Sequence, residues 1–197
     1  MQGRIKLLCP IKLSSHQICV TIEETKDPDI GGRRIMSKSK EIKTNAMRIL
    51  EKEKIPFSHY TYECDEFIDG IQIADKLSLP HEKVFKTLVT RGNGRDYFVF
   101  VIPVDRELDL KKAARAVGEK SVAMIPVKDI NGITGYIRGG CTAVGMKKQY
   151  VTRLDECAGR QETIVISGGR IGSQIELRPG DFLAACRGEY ADICQEM

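Results

Sequence analysis

The chain has 197 residues, 42% hydrophobic and 29% charged, with a formal charge of +4, proportions that fit a soluble globular protein with one sizeable core. No run approaches the roughly 18 apolar residues that span a bilayer, and the opening segment breaks its apolar residues with Lys12, Ser14, Ser15 and His16, so neither a membrane helix nor a signal peptide is expected and a cytoplasmic location is. Seven cysteines without a Cys-x-x-Cys pair suggest neither a disulfide framework nor a paired-cysteine zinc site, and so small a charge confines any nucleic-acid contact to a local patch.

Residues 1–35 close on "EETKDPDIGGRRI", a charged stretch broken by Pro28, Gly31 and Gly32 and without sustained periodicity. They read as a weakly structured extension, or as sequence lying upstream of a natural start at Met36. Residues 36–197 then form the domain. In "KSKEIKTNAMRILEKEKI", Ile42, Ala46, Ile49 and Leu50 share one face of a helix that Pro56 stops. "FSHYTY" has strand composition, and "GIQIADKLSL" predicts a short helix closed by Pro80. "VFKTLV", the turn residues "RGNGR" and "DYFVFVIP" predict a β-hairpin. "DLKKAARAVG" predicts a helix that buries Leu110, Ala113, Ala114 and Val117 and ends at Gly118.

After this helix, "TGYIRGGCTAVGMKK" reads as a strand and a glycine loop, and "ETIVISGGRIGSQIEL" as strand, turn and strand. "PGDFLAACRGEYADIC" reads as a terminal helix. Hairpins too short to hold crossover helices favour an α+β fold in a single domain, built on a mixed, largely antiparallel sheet.

Residues two apart in a strand share a face, so Val84, Lys86 and Leu88 lie together and Phe85, Thr87 and Val89 lie opposite. Neither face is plainly solvated, and a lysine amid such a run is costly unless an anion or a hydrogen-bonding group meets it. Two readings stay open. Lys86 lies in a cleft and holds a phosphate, carboxylate or carbonyl oxygen, or it is an edge-strand lysine that snorkels outward and discourages aggregation.

Two glycine loops follow strand-like segments, "RGGCTAVG" from Arg138 to Gly145 and "SGGRIG" from Ser167 to Gly172. Glycine pairs let the backbone approach a ligand and can aim N–H groups at an anion or polarised carbonyl. Neither loop has the GKS/T ending or the GxGxxG spacing of a nucleotide-binding loop. Tight turns explain each one alone, whereas the pair together with a strand lysine favours a cleft. Cys141 in the first loop raises a nucleophile hypothesis. A catalytic thiol needs a base, yet His16, His59 and His81 sit in no recognisable protease or transferase motif, so a buried, inert thiol is the favoured reading. Three scattered histidines also make a histidine-based metal site unexpected. Lys147 and Lys148, with Arg138, form a candidate basic rim that a solvated charged face would equally explain.

Taken in order, "TNAMRILEKEKIPF", "HYTYE", "VFKTLV", "LDLKKAARAVG", "TGYIRGGCTAVGMKK" and "ISGGRIGSQIELRPGD" resemble the YbaK/EbsC-type Cys-tRNA(Pro) deacylases, over essentially Met36 to Met197. The resemblance implies a trans-editing enzyme related to the insertion domain of bacterial prolyl-tRNA synthetases, with a sheet curled toward a barrel and flanked by helices. Such an enzyme removes cysteine wrongly attached to tRNA(Pro), because small side chains differ by too few contacts for one binding step to reject them.

The resemblance further implies that the substrate's own thiol attacks its ester, so that the protein mainly positions the ester and stabilises developing charge. Lys86, Gly139 and Gly140 correspond to catalytic positions of the family. Tyr62, Thr87, Ser167, Gly168 and Gly169 correspond to substrate-binding positions. No cofactor or metal is implied. The implied partners are the acceptor end of mischarged tRNA(Pro) and, at family level, prolyl-tRNA synthetase; no membrane is implied and the oligomeric state is left open. Many relatives read GG-I/C-S-P-x-G where this chain has Thr142 and Ala143, and some carry aspartate at the position of Gln174. These departures bear on amino-acid specificity. They keep two rivals in view: a deacylase for another small amino acid on tRNA(Pro), and a non-catalytic aminoacyl-tRNA binding module.

Overall fold

The computed structural model describes residues 22–24, 43–63 and 68–196. Of the amino-terminal extension, only β1 (Ile22–Glu24) is described, antiparallel to β2; the remainder of residues 1–35 lies outside the described residues, as does Ile42.

Helix α1 (Asn45–Lys52) starts where the Thr44 hydroxyl accepts from the Met47 amide, and it buries Ala46, Met47 and Leu50. The start is therefore set by a cap and not by the first apolar residue of the pattern. Ile49 is only partly buried, and Met47 takes a core place that the predicted face did not include. Strand β2 (Ser58–Thr61) follows as expected. Helix α2 (Gly70–Lys76) opens on a capping box between Asp69 and Gln72, and it ends before Pro80, with Ser78 at φ 55° turning the chain.

A 3-10 turn at His81–Lys83 leads into β3 (Phe85–Gly92), which pairs with β4 (Tyr97–Pro103) as the predicted hairpin, with Lys86 opposite Ile102. Strand β4 is an almost unbroken apolar run because both of its faces are covered. Val99 and Val101 enter the main core with Leu50, Phe85, Ile166 and Phe182. Phe98, Phe100 and Ile102 enter a second core with Ala113, Ala114 and Ile193. Helix α3 (Leu110–Ala116), capped by Asp109, supplies those alanines, but Leu110 at its first turn is 43% exposed, contrary to expectation.

Several further elements depart from the sequence reading. Strand β5 (Val122–Met124) precedes helix α4 (Ile130–Thr134). "TGYI" is not a strand: Thr134 ends α4, Gly135 turns at φ 86°, and the Tyr136 hydroxyl donates to the Val144 carbonyl at 2.7 Å, which folds the loop onto itself. Strand β6 (Val151–Asp155) runs parallel to β4. Strands β7 (Ile164–Ser167) and β8 (Ser173–Leu177) form the second predicted hairpin. The terminal helix α5 (Pro179–Cys186) stops at Arg187, φ 50°, so that β9 (Glu189–Ala191) can pair in parallel with β6.

The fold is α+β, with an antiparallel sheet in the order β1-β2-β8-β7 and a mixed sheet in the order β5-β3-β4-β6-β9. Among the described residues, one parallel bridge, Val84 to Val165, joins them. No helix among the described residues is long and apolar enough to cross a membrane.

Candidate active site

The junction of the two sheets leaves a cleft of about 100 Å³. One side is the entry of β3, from Val84 to Thr87. The other is the β7–β8 hairpin, where Ser167 and Gln174 are direct cross-strand partners. Gly139 and Cys141 close it from the loop after α4, and Gly70 and Ile73 of α2 close it from the opposite end. Its lining mixes apolar walls with a few polar groups, the composition of a small-ligand site.

Lys86 is tolerated in β3 because its amine leaves the sheet at this opening. Its Nζ donates to the Val104 carbonyl and to Glu107 Oε1, both at 3.2 Å, and its side chain is 27% exposed. An ammonium has three donors, so these two acceptors leave one N–H for a ligand oxygen. β5 pairs with β3 only at Thr90–Gly92, so at Lys86 the strand is paired with β4 and its other edge is not covered by β5; what sets this lysine apart is that it lines the cleft.

Four of the eight residues singled out in the sequence, Lys86, Thr87, Gly139 and Ser167, line the cleft. The other four stand behind it. Gly140 is buried where the two glycine loops meet, and a Cβ there would lie 2.8 Å from the Arg170 Cα. Its amide donates to the Ile137 carbonyl. The Gly168 amide donates to the Ser173 carbonyl, and a Cβ would approach Ser173 Oγ to 2.3 Å. The Gly169 amide donates to Ser167 Oγ at 3.3 Å. Tyr62 is buried against Ile73 and Leu77, with the Lys76 ammonium 5.8 Å from its ring centroid.

Gly70 carried no signal in the sequence. A Cβ at this position would meet Val104 Cγ1 at 2.3 Å, a constraint imposed by a residue 34 positions away that only the fold brings near. Gln174, noted earlier only as a departure from a motif, is 3% exposed and faces the cleft.

Burial pushes the Cys141 thiol up to about 11, against an opposing hydrogen bond with Thr134. At neutral pH burial thus favours the thiol, a poor nucleophile, over the thiolate. His59 is buried with Nε2 2.9 Å from Ser173 Oγ, and His81 pairs with Asp75; neither lines the cleft. No group of three or more His, Cys, Asp or Glu side chains among the described residues could hold a metal ion.

Beside the cleft, Glu176 of β8 accepts from Tyr60 and Thr163 and pairs with Lys83 at 2.5 Å. This ties the turn that feeds β3 to the strand that carries Gln174. Burial alone would raise the Glu176 carboxyl, but the hydrogen bonds from Lys83, Thr163 and Tyr60 outweigh it and hold the group below the ordinary value of 4.5.

The family profile of the aminoacyl-tRNA editing domain matches residues 70–185, from the first turn of α2 into α5 and across every strand of the cleft. The chain belongs to this editing-domain family. EbsC of Enterococcus faecalis, which carries the provisional name Cys-tRNA(Pro)/Cys-tRNA(Cys) deacylase, is 45% identical over 152 residues, 77% of this chain and 93% of that protein. A proline–tRNA ligase of Fervidobacterium nodosum is 30% identical over 108 residues, which cover 48% of this chain but only 18% of the ligase. In three dimensions, a crystal structure described as a proposed trans-editing enzyme for prolyl-tRNA synthetase superposes with a TM-score of 0.66 at 21% identity, over 78% of this chain and 99% of the other. The hypothetical protein APE2540 superposes with a TM-score of 0.68 at 19% identity, over 75% and 97%. At these identities the structures establish the editing-domain fold, and family membership rests on the sequence matches.

Proposed function

We propose that this editing domain is an aminoacyl-tRNA deacylase that removes cysteine from Cys-tRNA(Pro), with the substrate thiol as nucleophile. The observation that carries the reading is the cleft itself: a lysine with one uncommitted donor stands beside two glycine loops in a space the size of a small amino acid, lined by no histidine and by one protonated thiol. Such a site offers positioning and charge stabilisation but no nucleophile of its own. The similarity to EbsC supports the substrate.

In this scheme the cysteine sulfur attacks its own ester carbonyl and the C–S bond forms. The bond to the terminal ribose oxygen breaks, and the thiol proton ends on that oxygen. Lys86 donates to the carbonyl oxygen as it gains charge. Gly139 allows close backbone approach with its φ of 83°, and Ser167, Thr87 and Gln174 orient the aminoacyl group. Gly140, Gly168, Gly169 and Tyr62 shape the walls. A cytoplasmic site of action and work alongside prolyl-tRNA synthetase complete the reading, supported by the similarity to a synthetase segment. Residues 36–197 act as the catalytic domain, with the preceding segment as an extension.

One observation bears on a second reading: Gln174 puts a neutral amide in the cleft where some relatives carry aspartate, so the aminoacyl group has no carboxylate partner there, and another small amino acid on the same tRNA stays in view. Single-turnover deacylation of tRNA(Pro) charged with Cys, Ser, Ala or Pro, and of Cys-tRNA(Cys), separates the two. Cysteine should be released fastest and serine far more slowly, since a hydroxyl is the poorer nucleophile. Lys86→Ala should slow cysteine release by roughly 10²–10³. Full activity in that variant defeats the site assignment, and charged tRNA bound without release identifies a binding module.

A further inference from the structure

A second and larger opening lies at the other end of the mixed sheet. The cleft sits where β3 begins and β4 ends; an open groove of about 710 Å³ sits where β4 and β6 begin. It is too large for an amino acid, and the established family activity leaves it unexplained.

Tyr97 and Tyr150 form one wall as an edge-to-face pair, with centroids 6.3 Å apart and planes at 88°. The Tyr150 hydroxyl is anchored on the Ile133 carbonyl at 2.8 Å. The exposed cations Arg95, Lys147 and Lys148 lie on the rim. Lys147 is partly committed, since its Nζ donates to the Asn131 and Gly132 carbonyls at the end of α4. Two carboxylates, Asp96 and Glu119, share the groove, and Glu119 accepts from the Asn93 amide. Arg95 and Lys148 are thus the groove's cations with no hydrogen bond or ion pair of their own among those described.

The segment from Gly135 to Tyr150 joins the two openings. Gly139 and Cys141 line the cleft, and Lys147 to Tyr150 line the groove. Along β3, Lys86 and Arg91, the partner of Tyr97, are five residues apart, roughly 17 Å at about 3.3 Å per residue. At about 3.4 Å per nucleotide that distance holds about five stacked nucleotides. Five is an odd spacing, so Lys86 and Arg91 leave β3 on opposite faces; an esterified 3′ terminus at Lys86 would reach the groove by the Gly135–Tyr150 segment that borders both openings, where its unpaired end joins the acceptor duplex.

We propose that this groove receives the sugar–phosphate backbone of the acceptor stem of the same tRNA whose aminoacyl end occupies the cleft, with Arg95 and Lys148 on phosphates and the tyrosine pair against the terminal nucleotides. Cations on phosphate oxygens and aromatic faces on unpaired bases are the two means by which protein surfaces hold such an RNA end. The proposal rests on the deacylase reading for the occupant of the cleft, and its test separates the two.

The variant Arg95→Glu/Lys148→Glu is compared with wild type in two assays. In the first, uncharged tRNA(Pro) is titrated between 50 and 200 mM salt. Affinity at low salt should fall roughly tenfold or more, and the slope of log K against log salt should become less steep by about 2, one phosphate per cation. Equal affinity and equal slope overturn the proposal. The second compares release of cysteine from intact Cys-tRNA(Pro) and from cysteinyl-CCA, a trinucleotide too short to reach the groove. The variant's loss on intact tRNA should exceed its loss on the short ester by about the binding defect. Equal losses on both place the damage in the cleft or the fold and also overturn the proposal. If wild type releases cysteine from neither substrate while the variant still loses tRNA binding, the deacylase reading falls and the groove stands.

Discussion

Gly140→Ala tests whether the two glycine loops hold each other in place. Gly140 is buried, and an added Cβ would lie 2.8, 3.0 and 3.2 Å from the Cα, carbonyl carbon and amide nitrogen of Arg170. All three are backbone atoms, so no side chain can swing aside. Moving from 2.8 Å to ordinary contact at 3.4 Å requires a displacement of about 0.6 Å, shared between a loop that carries Gly139 and Cys141 and one that begins at Ser167. Overpacking of this kind costs about 1–3 kcal/mol. In a chain of this length each kcal/mol lowers the melting temperature by about 2–4 °C, so a fall of roughly 2–12 °C is expected.

Catalysis should suffer more than stability suggests. Both displaced loops line the cleft, and a misplacement near 1 Å costs on the order of 10²-fold in rate, so a loss of roughly 10-fold to 100-fold in single-turnover deacylation is expected at a temperature where the variant is fully folded. Gly180→Ala is the control. No atom lies within 4 Å of its Cβ position, on the surface of α5, and it should be neutral or stabilise by up to about 1 kcal/mol. Thermal melts and rates for the pair decide the matter. A Gly140→Ala protein with wild-type melting and wild-type rate would show that the loops do not pack as described.

Two other expectations follow from the same geometry. Cys141→Ala should keep most of the deacylation rate, and Cys141 should alkylate slowly at pH 7, because burial raises its thiol to about 11; abolished activity or rapid labelling would restore the nucleophile hypothesis. Glu176→Gln should destabilise by roughly 1–3 kcal/mol at neutral pH, since it removes a charged acceptor from Lys83, Tyr60 and Thr163. The Glu176 carboxyl is held below 4.5 in the folded chain, so its contribution is complete above that pH and is lost as pH falls through the depressed value. Melting curves from pH 7 to pH 3 should therefore converge only in the acid range, and a constant gap down to pH 3 would contradict the assignment.

Local signals located the elements that local forces determine. The hairpin of β3 and β4 followed from alternating β-formers around Gly92 and Gly94, and that of β7 and β8 from Gly168, Gly169 and Gly172, because pairing between neighbours needs only the turn and the strands themselves. β6 was missed: "VTRLD" looks too polar for a central strand, yet Thr152 and Asp155 are buried at 2% and 3%. Asp155 can be buried because the amides of Cys157, Ile193 and Cys194 donate to it, and two of these come from nearly 40 residues away. Leu110 failed in the opposite sense, as a large apolar side chain left exposed by the orientation of its segment.

The site divides in the same way. The sequence by itself determined that a lysine interrupts an apolar strand, that two glycine-rich turns follow later strands, and that the motifs are those of an editing family. Lys86, Gly139 and Ser167 were legible because their anomaly is local: a charge amid β-formers, or glycine where a turn demands it. Only the tertiary structure decided that these residues meet, that Gly140 and Gly168 face other backbone or side-chain atoms behind the cleft, and that Gly70 and Gln174 belong to the lining. The physical reason is that a cleft is the gap between two sheets joined at the Val84–Val165 bridge, and which atoms border that gap depends on packing between segments far apart in the chain.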